Sequence, residues 1–122
     1  MNAEFMQAFE QLGKEKGIAP EVLFDAIEAA LISAYKRNFS SAQNVRVSLD
    51  RVTGEIHVYA RKNVVEVAKD PRLELDLAEA RLLDVRYELD DIVEIEVTPK
   101  NFGRIAAQTA KQVVVQRIRE AE

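Results

Sequence analysis

The stretch Asn44–Ala60, NVRVSLDRVTGEIHVYA, decides the fold class, because it holds two strand patterns joined by a short turn. Val45, Val47 and Leu49 share one face and Arg46, Ser48 and Asp50 the other, as a half-buried strand requires. Arg51-Val-Thr-Gly54 makes the loop, with Gly54 supplying a positive φ. Ile56, Val58 and Ala60 then resume the inward face while His57, Tyr59 and Arg61 turn outward. Strands joined this way are antiparallel, which argues against a fold of alternating βα units.

Upstream, residues 3–16 read as a helix with Phe5, Phe9 and Leu12 at helical spacing, widened by Met6 and Ala8. Lys14 and Lys16 sit at its carboxyl end, and Gly17 is placed to cap it. Pro20 suits the first turn of a second helix, whose positive end carries Glu21, Asp25 and Glu28. Val22, Leu23, Ala26, Ile27, Ala30, Leu31, Ala34 and Tyr35 give that helix a broad apolar face for the first helix and a sheet, before it ends in Lys36-Arg37-Asn38. Downstream, Val64, Val65 and Val67 extend or bend the return strand. Asp76-Leu-Ala-Glu79 has the form of a capping box opening a short helix to about Leu83. Ile92–Val97 alternates as a third strand that Pro99 ends. The expected order is α-α-β-β-α-β-α, an α+β fold: two N-terminal helices, a small three-stranded sheet with a short helix inserted, and a long C-terminal helix over residues 103–122.

With 122 residues, 48% hydrophobic and 31% charged, the chain makes one domain, residues 1–122, around one sizeable core. No apolar run approaches bilayer length and MNAEFMQAFE has acids where a secretory signal has cations, so a cytoplasmic location and no membrane partner are expected. The absence of cysteine and the lone His57 argue against disulfides and zinc. A net charge of −4 disfavours a free-standing nucleic-acid binder. Charge is nonetheless blocked. Lys36–Lys62 has six cations against Asp50 and Glu55, and Glu66–Glu96 has eleven acids against Lys69, Arg72, Arg81 and Arg86, so one basic and one acidic side are expected.

The terminal stretch Pro99–Glu122, PKNFGRIAAQTAKQVVVQRIREAE, carries five cations and no acid between Lys100 and Arg119. At 100° per residue, Ala106, Ala110, Val113 and Val114 fall on one side of a helix and Arg104, Gln108, Lys111, Gln112 and Arg119 on the other. Arg104 and Lys111, two turns apart, stack along a line that a phosphate chain can follow. No Gly or Pro stops the helix after Ile118, which suits a connector to further modules. Lys36 and Arg37 have a structural use against the dipole of their own helix. The Phe5–Phe9–Leu12 stripe serves as core or as a groove for a partner's helix, and Tyr35, Tyr59 and Phe102 pack or stack on bases. Asp90, Asp91, Glu94 and Glu96 fit a solvated turn and strand face better than an acid–base pair or a cation site. His57 has no nearby Ser or Cys nucleophile, and four glycines make no phosphate loop. No enzymatic activity, cofactor or metal is expected.

The segments AIEAALISAYKRNF (Ala26–Phe39), QNVRV (Gln43–Val47), RVTGEIHVYARKNVV (Arg51–Val65) and VEIEVTPKNFGRIAAQTAKQVVVQRIREAE (Val93–Glu122) closely resemble the N-terminal domain of the NusA family of bacterial transcription factors, in its Gram-positive wording. Asp90-Asp91 stands where the family usually has a Gly-Asp turn, and Glu66–Leu89 matches poorly. The resemblance implies a monomeric, non-enzymatic domain that docks on RNA polymerase at the β-subunit flap tip beside the RNA exit channel, enhances pausing and intrinsic termination, and takes part in antitermination. Lys36, Arg37, Arg104 and Lys111 match its basic surface facing a nascent RNA hairpin. Phe5, Phe9 and Leu12 are the candidates for the polymerase contact. The competing expectation is a free-standing RNA-binding module without polymerase contact.

Overall fold

The structure, a computed structural model, describes residues 1–121, so Glu122, the last position of the expected terminal helix, lies outside the described residues. Helix α1 spans Ala3–Glu15 and α2 spans Pro20–Asn38. Asn2 caps α1 by accepting the N–H of Phe5 at 3.0 Å. The other end closes in a paired motif: Ile18 N–H reaches Gly13 O, Gly17 N–H reaches Lys14 O, and Gly17 takes φ +74° as that geometry demands. Pro20 is the first residue of α2, and Lys36 and Arg37 lie in its last turn.

The hairpin is β1 (Val45–Leu49) and β2 (Ile56–Val65), paired Val45 to Ala60 through Leu49 to Ile56. Strand β4 (Ile92–Glu96) pairs antiparallel with Tyr59–Asn63. Between them the structure adds an element to the expected order: β3, Glu74–Asp76, runs parallel to Asn63–Val65 and leads into α3, Leu77–Leu83. The sheet has four strands rather than three, and the order is α-α-β-β-β-α-β-α. Arg61 N–H bonds Asn44 O and Asn63 N–H bonds Leu73 O, whereas Val64 N–H turns to Asp91 O. β1 and β3 therefore share one edge of β2, and β4 takes the other. The expected capping box is corrected as well. Asp76 precedes α3 but makes no side-chain cap; its Oδ1 accepts the N–H of Ala68 at 2.5 Å, tying down the loop before β3 instead.

The core lies between one face of the sheet and three helices, the last being α4, Phe102–Ala121. Met6 and Phe9 of α1, Leu23, Phe24, Ile27, Leu31 and Tyr35 of α2, Val47, Leu49 and Val58 of the hairpin, and Phe102, Ala106, Ala110 and Val114 of α4 form one buried cluster. Helices α2 and α4 are antiparallel, since Tyr35 and Phe39 meet Phe102 edge-to-face at 5.9 Å each while Ala26 faces Val113 and Arg117 across a shallow groove. The alanines of α4 permit this approach. A second, smaller cluster of Val64, Ala80 and Val93 holds α3 to the far end of the sheet.

Candidate functional site

Helix α4 turns Ala106, Ala110 and Val114 inward, which leaves Arg104, Gln108, Lys111, Gln112 and Arg119 exposed, as the spacing predicts. Arg37 is exposed and Lys36 half-buried at the end of α2 that lies beside Phe102, so both stand at the same end of the α2–α4 pair as Arg104. None of these five cations forms an ion pair among the described residues. The basic block of the hairpin behaves differently. Arg46 holds Glu94 with two hydrogen bonds of 2.7 and 3.1 Å and lies 4.6 Å over the Tyr59 ring, Arg61 adds a 3.9 Å contact to Glu94, and Arg51 pairs with Asp25 at 3.3 Å. The hydrogen bond from Arg46 holds the Glu94 carboxyl below its ordinary range. His57 Nδ1 lies 3.0 Å from Glu96. Three hairpin cations are thus spent on acids that lie far away in the sequence, whereas Arg104 and Lys111 of α4 and Lys36 and Arg37 of α2 keep their charge without an acidic partner among the described residues, as does Lys62 of the hairpin.

The candidate apolar residues divide. Phe5 is 44% exposed and Leu12 36%, whereas Phe9 is only 6% exposed and belongs to the core, its ring stacked 6.1 Å from Phe5. Phe5 and Phe9 line a cleft of about 150 Å³ between α1 and α4 whose remaining walls are Met1, Ala107, Gln108 and Lys111. One basic residue and two aromatic residues read separately in the sequence are thereby brought to one place. Met1 and Ala107 escape sequence reasoning, and Gln108 is read there only as part of the polar ridge, because only the packing of α1 beside α4 makes them neighbours. Tyr35 and Phe102 are core residues, and Tyr59 lies under Arg46. Among the described residues no group of His, Asp or Glu is arranged to hold a metal ion, and no helix is long and apolar enough to cross a membrane.

The sequence pattern of the NusA N-terminal domain matches residues 4–122. The chain belongs to the NusA N-terminal domain family. It is 66% identical over 122 residues to the transcription termination/antitermination protein NusA of Halalkalibacterium halodurans and 62% identical to that of Bacillus subtilis. All of the chain is matched in both cases, and it spans about a third of the length of these relatives, 32% and 33%. The solution structure of the N-terminal domain of NusA from B. subtilis superposes with a TM-score of 0.86 at 62% identity, covering 99% of this chain and 98% of that one. The α+β architecture is that of the NusA N-terminal domain.

Proposed function

We propose that this domain docks on RNA polymerase at the flap tip beside the RNA exit channel and lays its basic ridge against the nascent RNA hairpin, enhancing pausing and intrinsic termination and taking part in antitermination. It acts as a monomer in the cytoplasm, without catalysis. The observation that carries this reading is the meeting, in a chain of this family, of unpaired cations on α4 with an apolar cleft beside them. Phe5, at the cleft mouth, and Leu12, farther along α1, offer apolar surface to a partner's helix, with Phe9 as floor. Arg104, Lys111, Lys36 and Arg37 attract phosphate, and their freedom from acids leaves that attraction undiminished. The free-standing RNA-binding alternative is disfavoured by a net charge of −4.

A hairpin-stimulated pause assay tests the RNA half of this reading. Arg104→Glu and Lys111→Glu are expected to weaken pause enhancement whatever the hairpin sequence, with the loss shrinking as salt rises. Folding is expected to change by no more than about 0.5 kcal/mol, because both side chains reach solvent. Full enhancement by both variants would remove the RNA-facing assignment, and loss of polymerase binding itself would assign the ridge to a protein contact.

A further inference from the structure

Tyr35 and Phe102, which the sequence offers for packing or for stacking on bases, are both buried. The ring left open beside them is Phe39. This residue closes α2, with its N–H bonded to Tyr35 O at 2.9 Å and 38% of its surface exposed. Tyr35, one turn earlier, stacks on it with centroids 5.3 Å apart, and Phe102 meets it edge-to-face at 5.9 Å. Two buried rings thus fix a third at the surface, so a planar ligand finds it already oriented. The charge around this ring has one sign. Lys36, on the same side of α2 as Phe39, and Arg37 precede it, while Lys100 and Arg104 stand two residues to either side of Phe102. None of these four forms an ion pair among the described residues, and the two segments that meet here, residues 29–49 and 97–119, contain no Asp or Glu.

We infer that Phe39 is a stacking platform for one unpaired base of the nascent RNA, with the cations around it on the neighbouring phosphates. This rests on the reading that the basic ridge faces RNA, and it names the part of the RNA taken: a single-stranded nucleotide, in addition to the phosphates of a stem. A base inside a stem has no free face, so the stacked base comes from the loop or the flank. Every base has such a face, and the contact is therefore tolerant of sequence. The test is a hairpin-stimulated pause assay on complexes assembled with synthetic RNA of one stem, whose loop and upstream flank carry either uridines or abasic riboses. Each RNA is titrated with the wild-type domain, Phe39→Ala, Phe39→Tyr and Arg104→Glu. On the uridine RNA, Phe39→Ala is expected to raise the half-saturating concentration of the domain by about fivefold or more, and Phe39→Tyr to leave it unchanged. On the abasic RNA the wild type is expected to show the same rise and Phe39→Ala no further one, because ring and base are two halves of one contact. Indifference of the wild type to abasic RNA would overturn the inference, and that arm needs no variant to fold. An equal loss by Phe39→Ala on both RNAs would overturn it in favour of a protein contact or a packing role. If Arg104→Glu weakens enhancement and Phe39→Ala does not, the ridge meets RNA without the stack; if neither does, the RNA-facing reading fails as well.

Discussion

Asp90 is the single non-glycine residue with positive φ, +73°, among the described residues. The turn needs that conformation: Asp90 N–H bonds Val64 O at 2.9 Å, and Asp91 folds back to accept the N–H of Glu88 at 2.8 Å. The family resemblance puts glycine at this turn, and the geometry explains why. Asp90→Gly relieves a left-handed penalty of roughly 1 kcal/mol but adds freedom to the unfolded chain, so a net gain of about 0.5 kcal/mol is expected in urea melts, with no change in the sheet. Loss of stability would mean that the Asp90 side chain contributes more than the backbone penalty removes. Phe5 and Phe9 present the opposite case, similar in sequence and unlike in the fold. Phe9→Ala is expected to destabilise by about 3 kcal/mol or more and so cannot report on docking, whereas Phe5→Ala is expected to stay folded while weakening polymerase binding. Helical spacing places both on one stripe. Which of them sits at its edge depends on where α4 lies, and no local pattern carries that.

The elements show where sequence reasoning succeeds. The hairpin, α2 and α4 were legible because each has a sustained period, 2.0 or 3.6, and a punctuating Gly or Pro. Strand β3 was not: it is three residues long, two of them acids, and its pairing with Asn63–Val65 is parallel and non-local. The capping-box reading failed for a related reason, since Asp76 answers to Ala68 across the loop rather than to its own helix. The two positive-φ glycines separate conformational strain from crowding. A Cβ on Gly17 would meet open space, so Gly17→Ala costs only the left-handed conformation, about 1 kcal/mol. A Cβ on Gly54 would lie 2.9 Å from Asn2 O and 3.0 Å from the Met1 carbonyl carbon. Gly54→Ala must therefore push the hairpin off the N-terminal segment that caps α1, and it is expected to cost at least about 1 kcal/mol more than Gly17→Ala in parallel melts. Equal costs would show that the N-terminal segment gives way freely.

Across the whole molecule, carboxylates held by partners set the response to acid. Hydrogen bonds from Arg86 lower Asp84 from 3.8 to about 2, Arg72 lowers Asp70, the backbone of Thr53 and Val52 lowers Asp50, and Arg46 lowers Glu94 from 4.5. A carboxyl whose folded pKa lies below its unfolded value stabilises at pH above the unfolded value and loses that contribution as pH falls through the folded one. Glu28 opposes this, since burial raises its carboxyl and its charge is unfavourable near neutrality, a cost relieved by acid. The melting temperature is expected to be flat near neutrality and to fall below the ordinary carboxyl values of 4.5 and 3.8, with Arg46→Met removing part of that slope. The charge blocks read from sequence do not say which cations stay unpaired, because Arg46 and Glu94, one from each block, meet only once β1 and β4 flank β2. The central claim, that this surface serves polymerase rather than free RNA, is tested most directly by measuring binding of the domain to core RNA polymerase with and without the flap tip. Binding to intact core that disappears with the flap tip is the predicted result; equal binding to both forms, or tight salt-sensitive binding to free hairpin RNA without polymerase binding, would contradict it.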